Sequence, residues 1–357
     1  MAIRRFLKQS QLSVAHKAVI TKAMTGGGDL DVGLTFAQGA YLVSLIASDL
    51  GINLGIPDIP ATPSAFFATT NPADLQLDQV DFIVAFERLV SQVSDTDTYF
   101  DCLASLQKRR IKYQRILETQ PIPTVSQVGP RGLLQYGYLS SSSLAAFLFW
   151  RKWLFDIDNR AGQETGYIFE PIVARSIGGQ SYPAKKSPIH RRNRPAEGRQ
   201  VDCVFENRAY EIKLRVTIAA SGQGRWGEEK DFPADCQFSG YIPVLIVFDD
   251  TQADKLDELS RLFKAAGGEV LAGEQAWNHL EELAGKTMGV FLDKYVRAPI
   301  KDLLYNAPLS EKLPNLTLAT DGSTITITVG NESLIINRQA SENLEEGSDP
   351  IPDDMLE

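Results

Sequence analysis

Residues 201–216 read Val201-Asp202-Cys203-Val204-Phe205-Glu206-Asn207-Arg208-Ala209-Tyr210-Glu211-Ile212-Lys213-Leu214-Arg215-Val216. Two short runs in this stretch have strand composition, and both are interrupted by charge. In the second, Tyr210, Ile212, Leu214 and Val216 alternate with Glu211, Lys213 and Arg215, so the two-residue period of a strand puts all three charges on one face. Such a face is not ordinary core. The runs are close enough for a hairpin around Glu206-Asn207 or Asn207-Arg208, a polar turn with one residue tolerant of positive φ. The first turn opposes Asp202 to Glu211; the second opposes it to Lys213. Directly opposed residues point the same way, so either register brings Asp202 to the charged face, whereas a three-residue loop would turn it away.

Two carboxylates beside an ammonium have a specific use. Their oxygens suit hard Mg²⁺, which keeps several waters and takes the rest of its octahedron from a substrate phosphate. The lysine can orient or help deprotonate an attacking water and balance charge building on phosphorus, while the metal acts as Lewis acid. The plainer reading of the same residues is a surface hairpin with a solvated outer face, in a protein that binds DNA without cutting it.

Asp202, eight residues, then Glu211-Ile212-Lys213 resembles the PD-(D/E)xK nuclease motif, with Gln200-Val201 where that family often has Pro. The segment from Val201 to Phe248 is reminiscent of type II restriction endonucleases of the ApaLI-like group, and the resemblance covers about residues 160–250. It implies Mg²⁺-dependent hydrolysis of double-stranded DNA at a short palindromic site by a homodimer. Asp202 and Glu211 would bind the metal with the Ile212 carbonyl, and Lys213 would act on the water. In this family a glutamate on the helix before the strands commonly points into the metal site. Gly166-x-x-Phe169-Glu170 followed by Ile172 and Val173 looks like that helix, which makes Glu170 the candidate and Glu164 the alternative. Pro171 fits a helix over roughly Gly166 to Ile177 only in its first turn, which would place Glu170 at the positive helix end. The resemblance implies repair nucleases and junction resolvases as alternatives on the same core.

The fold class expected is α/β: a restriction-endonuclease-like core with a mixed central sheet flanked by helices, a largely helical N-terminal region and a small C-terminal β meander. The division expected is 1–125 helical, 126–305 nuclease core with flanking helices, 306–338 meander and 339–357 acidic tail. Apolar residues at helical spacing mark Tyr41 to Leu50 and Val80 to Val93. Asp97 or Thr98 is a candidate cap for a helix through Phe100, Leu103 and Ile116, whose polar side carries Lys108, Arg109, Arg110, Lys112 and Arg115. That basic side is either solvated or a phosphate contact. Pro121 to Pro130 reads as a linker, and Leu144 to Phe155 as an apolar helix. Ile242 to Phe248 is apolar without alternation, as in a strand buried on both faces. Amphipathic helices follow through Leu256, Leu259, Leu262 and Phe263, then short strands with turns at Asp321-Gly322 and Gly330-Asn331.

The net charge is −9, but seven acids and no base lie beyond Gln339, and the tail they form is expected to be disordered. From Asp101 to Arg215 nineteen Lys and Arg face ten Asp and Glu, so the middle of the chain is basic. Lys185, Lys186, Arg191, Arg192, Arg194 and Arg199 cluster between the helix and the hairpin and are candidates for clamping a DNA backbone; Arg225 and Trp226 in the loop after the hairpin are candidates for further contacts. No apolar run approaches a membrane span; the longest, Leu144 to Trp150, meets Arg151-Lys152. Three cysteines without paired spacing argue against a disulfide framework or zinc site, and a cytoplasmic protein is the expectation.

A rival motif is Gly222-Gln-Gly224-Arg-Trp-Gly227, which follows a strand and matches the dinucleotide-binding fingerprint of an NAD(P)-dependent oxidoreductase. Against it stand the charges of the preceding strand, where a central parallel strand should be apolar, and Trp226 and Pro233 in the turn and segment that should form a closely packed helix.

Overall fold

The computed structural model describes residues 10–27, 30–68, 71–214, 223–248 and 254–339, and excludes the side chains of residues 223–225 and 254–255. Its strands are β1 (Gln180–Tyr182), β2 (His190–Arg191), β3 (Arg194–Gly198), β4 (Val201–Phe205), β5 (Arg208–Lys213), β6 (Ile242–Val247), β7 (Glu269–Ala272), β8 (Leu316–Thr320), β9 (Thr324–Val329) and β10 (Glu332–Asn337). Five of them form the central sheet in the order β1-β4-β5-β6-β7. β1 pairs antiparallel with β4 and β4 antiparallel with β5, whereas β5, β6 and β7 are mutually parallel. This is the mixed sheet expected from the sequence.

The helices are α1 (Val14–Met24), α2 (Phe36–Asp49), α3 (Phe82–Gln92), α4 (Thr96–Thr119), α5 (Ser141–Ser176), α6 (Gln223–Phe238), α7 (Asp254–Ala265), α8 (Glu274–Leu292, broken at Gly285) and α9 (Ala298–Tyr305). The apolar run of β6 is covered on both sides. On one face Tyr210, Ile212, Val244 and Ile246 share a hydrophobic cluster with Phe169, Ile172 and Val173 of α5, Trp277 and Leu280 of α8, and aromatic residues of α3 and α4. On the other, Ala209, Leu245 and Val247 pack against Phe232 and Cys236 of α6 and Leu259 and Phe263 of α7. The N-terminal helices and the sheet therefore share one core.

Several local expectations change. α4 starts at Thr96, ahead of the caps expected at Asp97 or Thr98; Asp95 precedes it with φ 62° and makes no capping hydrogen bond. Buried Thr96, Tyr99 and Phe100 set that start through packing instead. The basic side of α4 is turned inward. Lys108 donates to the Thr25 carbonyl at 2.7 Å, Arg110 donates to the Phe66 carbonyl at 2.6 Å, and Arg109 and Lys112 both pair with Glu164. The expected linker contains the helical turn Val125–Val128. β1, β2, β3 and β7 lie in segments without a readable alternation, because strands of two to five residues carry too few positions for a period.

The largest difference is α5, one continuous helix of 36 residues where two were expected, with Pro171 in its interior near the C-terminal end. Pro171 is thus not in a first turn, and Glu170 does not sit at a positive helix end. Proline withholds the N–H that would bond the Tyr167 carbonyl. Tertiary contacts override that local cost: Trp153 and Ile157 bury against Ile325 and Ile336, Glu164 is buried beside the α4 cations, and Phe169, Ile172 and Val173 lie on the sheet. β8, β9 and β10 form the expected antiparallel meander, with positive φ at Gly322 and Gly330 in its two turns.

Trp153 is fully buried and fastens the meander to α5. Trp153→Ala should lower unfolding free energy by about 3–5 kcal/mol, read as a shifted urea midpoint, through cavity formation at this contact.

Candidate active site

The β4–β5 turn is Glu206-Asn207, with Phe205 opposite Arg208, Val204 opposite Ala209 and Cys203 opposite Tyr210. One step further along this register Asp202 faces Glu211, so the first of the two candidate registers is the one adopted. Glu206, rather than Asn207, takes the positive φ of the turn, at 53°. Backbone pairing stops at Cys203, and the Asp202 carboxylate Oδ2 accepts the Ile212 N–H at 2.8 Å. A side-chain oxygen stands there where a ladder carbonyl would otherwise be.

Glu211 and Lys213 alternate with the buried Tyr210 and Ile212, as read from the sequence. Lys213 Nζ donates to Glu211 Oε1 at 2.6 Å. It also lies 3.2 Å from Oε1 of Glu229, on α6. Burial alone would lower the lysine's pKa, but Glu211, Asp202 and Glu229 outweigh it and hold the ammonium well above its usual range. Burial raises the Asp202 pKa well above the ordinary carboxylate value, and Glu211 and Glu170 push the same way, while Lys213 and the Ile212 N–H oppose. Glu170, arriving from α5, is pushed up to about 7 by burial and then by Glu211, with Lys213 opposing. Glu164 lies elsewhere: both its oxygens face Arg109 and Lys112. Of the two candidate helix carboxylates, Glu170 is the one in the electrostatic reach of Glu211 and Lys213.

Glu229 was not among the sequence candidates. Its signal is positional: it shares a helix face with Phe232 and Cys236, both buried, and an acid on such a face requires a partner. Its Oε2 is buried and has no hydrogen-bond partner among the described residues. Asp202, Glu211, Glu170 and Glu229 thus surround one ammonium, an excess of negative charge that favours a bound cation. Among the described residues no group of three or more His, Cys, Asp or Glu is arranged as a ready ligand set. The donors that fit are the carboxylates of Asp202 and Glu211 with the Ile212 carbonyl, an oxygen set of the kind Mg²⁺ completes with waters and phosphate.

The basic cluster divides. Lys185, Lys186, Arg192 and Arg194 are exposed. Arg191 reaches Glu228, at 2.6 Å. Arg199 is only 4% exposed and lies between Glu228 and Asp235, the latter 5% exposed and 3.1 Å away. It is an internal strut, with no free guanidinium edge for a phosphate. Trp226 lies on α6 with Lys230 Nζ 5.7 Å from its ring centre, while the Arg225 side chain lies outside the described residues.

The two fingerprint glycines within the described residues do not form the expected turn. Gly222 lies outside the described residues, and Gly224 and Gly227 are within α6, which also accommodates Trp226 and Pro233. β5 is a central strand parallel to β6, as the rival reading needs, yet its other neighbour is the antiparallel β4 and it carries the charge cluster. A dinucleotide fold has a parallel neighbour there.

The match to known proteins agrees with this geometry. Residues 69–297 match the family model described as ApaLI-like restriction endonuclease. The chain is 43% identical over 289 residues to the type II restriction enzyme ApaLI of Acetobacter pasteurianus, a match covering 77% of each chain. No solved structure matches. The matched span contains the mixed sheet and the Asp202, Glu211 and Lys213 cluster, the chemistry-bearing part of a restriction endonuclease. The chain belongs to the ApaLI-like restriction endonuclease family.

In metal-free protein, Glu170→Gln should stabilise the fold by about 1 kcal/mol at pH 8, after discounting for solvent screening, and by little at pH 4. The sign follows from the raised pKa: the folded state binds the Glu170 proton more tightly, so its ionisation costs stability as pH rises from the ordinary carboxylate value through about 7. Urea midpoints of both proteins at the two pH values, with chelator present, test this; a loss of stability at pH 8 would contradict the assigned environment.

Proposed function

We propose that this protein is a type II restriction endonuclease that hydrolyses phosphodiester bonds of double-stranded DNA at a short palindromic sequence. It uses Mg²⁺ and acts as a homodimer, one active site per subunit matching the two-fold symmetry of the duplex. The observation that carries this reading is the convergence of Asp202, Glu211, Lys213 and Glu170 at the end of the β4–β5 ladder. Membership of the family supports it independently.

In this reading Asp202, Glu211 and the Ile212 carbonyl hold Mg²⁺, which when bound supplies Lewis-acid chemistry to the phosphoryl group. Lys213 is kept in its charged form by the surrounding carboxylates, so its role is to place positive charge where charge builds on phosphorus. An ammonium has no lone pair with which to accept a proton. Glu170, with a pKa near neutrality, is suited to orient the attacking water and take its proton. Exposed Lys185, Lys186, Arg192 and Arg194 are assigned to the DNA backbone, and Arg199 to the protein interior.

Incubation with unmethylated phage DNA should give discrete fragments that require Mg²⁺. Asp202→Ala and Lys213→Ala should each abolish cleavage while retaining DNA binding; cutting at the wild-type rate by either variant would refute the assignment. Replacing Lys185, Lys186, Arg192 and Arg194 together by Ala should flatten the dependence of log affinity on log salt by up to about 3.6, one increment for each lost phosphate contact. An unchanged slope would move the DNA surface elsewhere.

A further inference from the structure

Glu229 stands in the site without a role in the reaction just described. Its side chain is 17% exposed; Oε1 faces Lys213 Nζ at 3.2 Å, and Oε2 is buried with no hydrogen-bond partner among the described residues. Lys213 also donates to Glu211 Oε1, at 2.6 Å. The two carboxylates reach the ammonium from different elements, Glu211 from β5 and Glu229 from α6.

This arrangement contains a conflict. Glu211 is needed both as the nearer counter-ion of Lys213 and as a cation ligand. An ammonium has three donors, and the one it directs at Glu211 Oε1 must find another acceptor when that oxygen is drawn to a metal. A buried ammonium left without one would incur a large desolvation cost. The acceptor next to the oxygen already in use is Glu229 Oε2.

We propose that Glu229 is a positioning residue that takes over Lys213 from Glu211, so that Glu211 is released to a divalent cation while the ammonium stays in the site. This rests on the nuclease reading above. It explains why α6 directs an acid at the sheet from a face otherwise occupied by Phe232 and Cys236, and why one oxygen of that acid is buried with no hydrogen-bond partner among the described residues.

The test is a binding cycle in the full-length protein, without DNA, with Mn²⁺ as probe and free ion counted by electron paramagnetic resonance. Four proteins are compared: wild type, Glu229→Gln, Lys213→Met and the double variant. If Glu229 acts by relieving Glu211 of its lysine, Glu229→Gln weakens Mn²⁺ binding by about tenfold or more, a loss of the size seen for outer partners of metal ligands. In the Lys213→Met background Glu211 has no ammonium to shed, and the same substitution then costs about twofold or less, from lost charge alone; such coupling is what a double-mutant cycle isolates.

Equal losses in both backgrounds would overturn the proposal, making Glu229 a direct ligand or a simple source of negative charge. No loss in either would also overturn it, by showing that Glu211 is released without Glu229. Asp202→Ala separates this proposal from its premise. If wild type binds Mn²⁺ no better than Asp202→Ala, the nuclease site itself is misplaced, and the role of Glu229 falls with it. If Asp202→Ala abolishes binding while the cycle shows no coupling, only the role of Glu229 is lost. Glu229→Asp, which keeps the charge, should recover part of the affinity lost in Glu229→Gln; thermal melts of all variants verify that each is folded.

Discussion

The hydrogen bond from the Ile212 N–H to the Asp202 carboxylate joins the sheet's own ladder to the site. Up to Cys203 and Tyr210 the hairpin is held by backbone pairing; beyond them a charged side chain supplies the acceptor. A carboxylate in that position is anchored by the fold but keeps a second oxygen for other work. Everything around it serves to keep like charges close together. β5 is immobilised by its parallel pairing to β6, which is buried on both faces. Glu170 enters from the helix on one side of the sheet and Glu229 from the helix on the other. Burial first, and this repulsion second, raises the pKa of Asp202 and of Glu170, and one ammonium offsets only part of the rise.

Much of the central arrangement was legible because two-residue alternation is a strong signal. Tyr210 and Ile212 against Glu211 and Lys213 reveal a face that cannot be core, and the polar Glu206-Asn207 pair limits the register to two choices. The apolar run of β6 likewise reads directly as a doubly covered strand. The continuity of α5 was not legible. Pro171 and the polar residues after Phe155 mark a break by local propensity, and only contacts from sequence-distant partners, Ile325 and Ile336 on Trp153 and the α4 cations on Glu164, carry the helix through. Glu229 escaped for a related reason. No spacing rule links an acid on α6 to a lysine on β5, and the connection exists only once the crossover has folded back.

Basic residues in this chain serve two purposes that composition cannot separate. Arg109, Arg110, Lys112 and Arg199 look in sequence like a nucleic-acid footprint, yet each has an internal acceptor. Buried guanidinium groups of this kind tie helices to one another through fixed, planar donor sets. The cations left at the surface are fewer and lie mainly in the short segment from β1 through β3, next in sequence to the hairpin. A charge count over the middle of the chain overstates the surface open to a nucleic acid, because part of what it counts is architecture.

The length of α5 has a mechanical consequence. At about 1.5 Å per residue a helix of this size is a rod of roughly 54 Å. Trp153 lies under the C-terminal meander, while Glu170 lies at the charge cluster, so a single stiff member runs from one to the other. A rod held at both places couples the seating of one to the seating of the other. The meander, last in sequence among the described elements, is therefore one footing of a beam whose other footing is the packing of Phe169, Ile172 and Val173 on the sheet, with the Glu170 carboxylate set between those contacts.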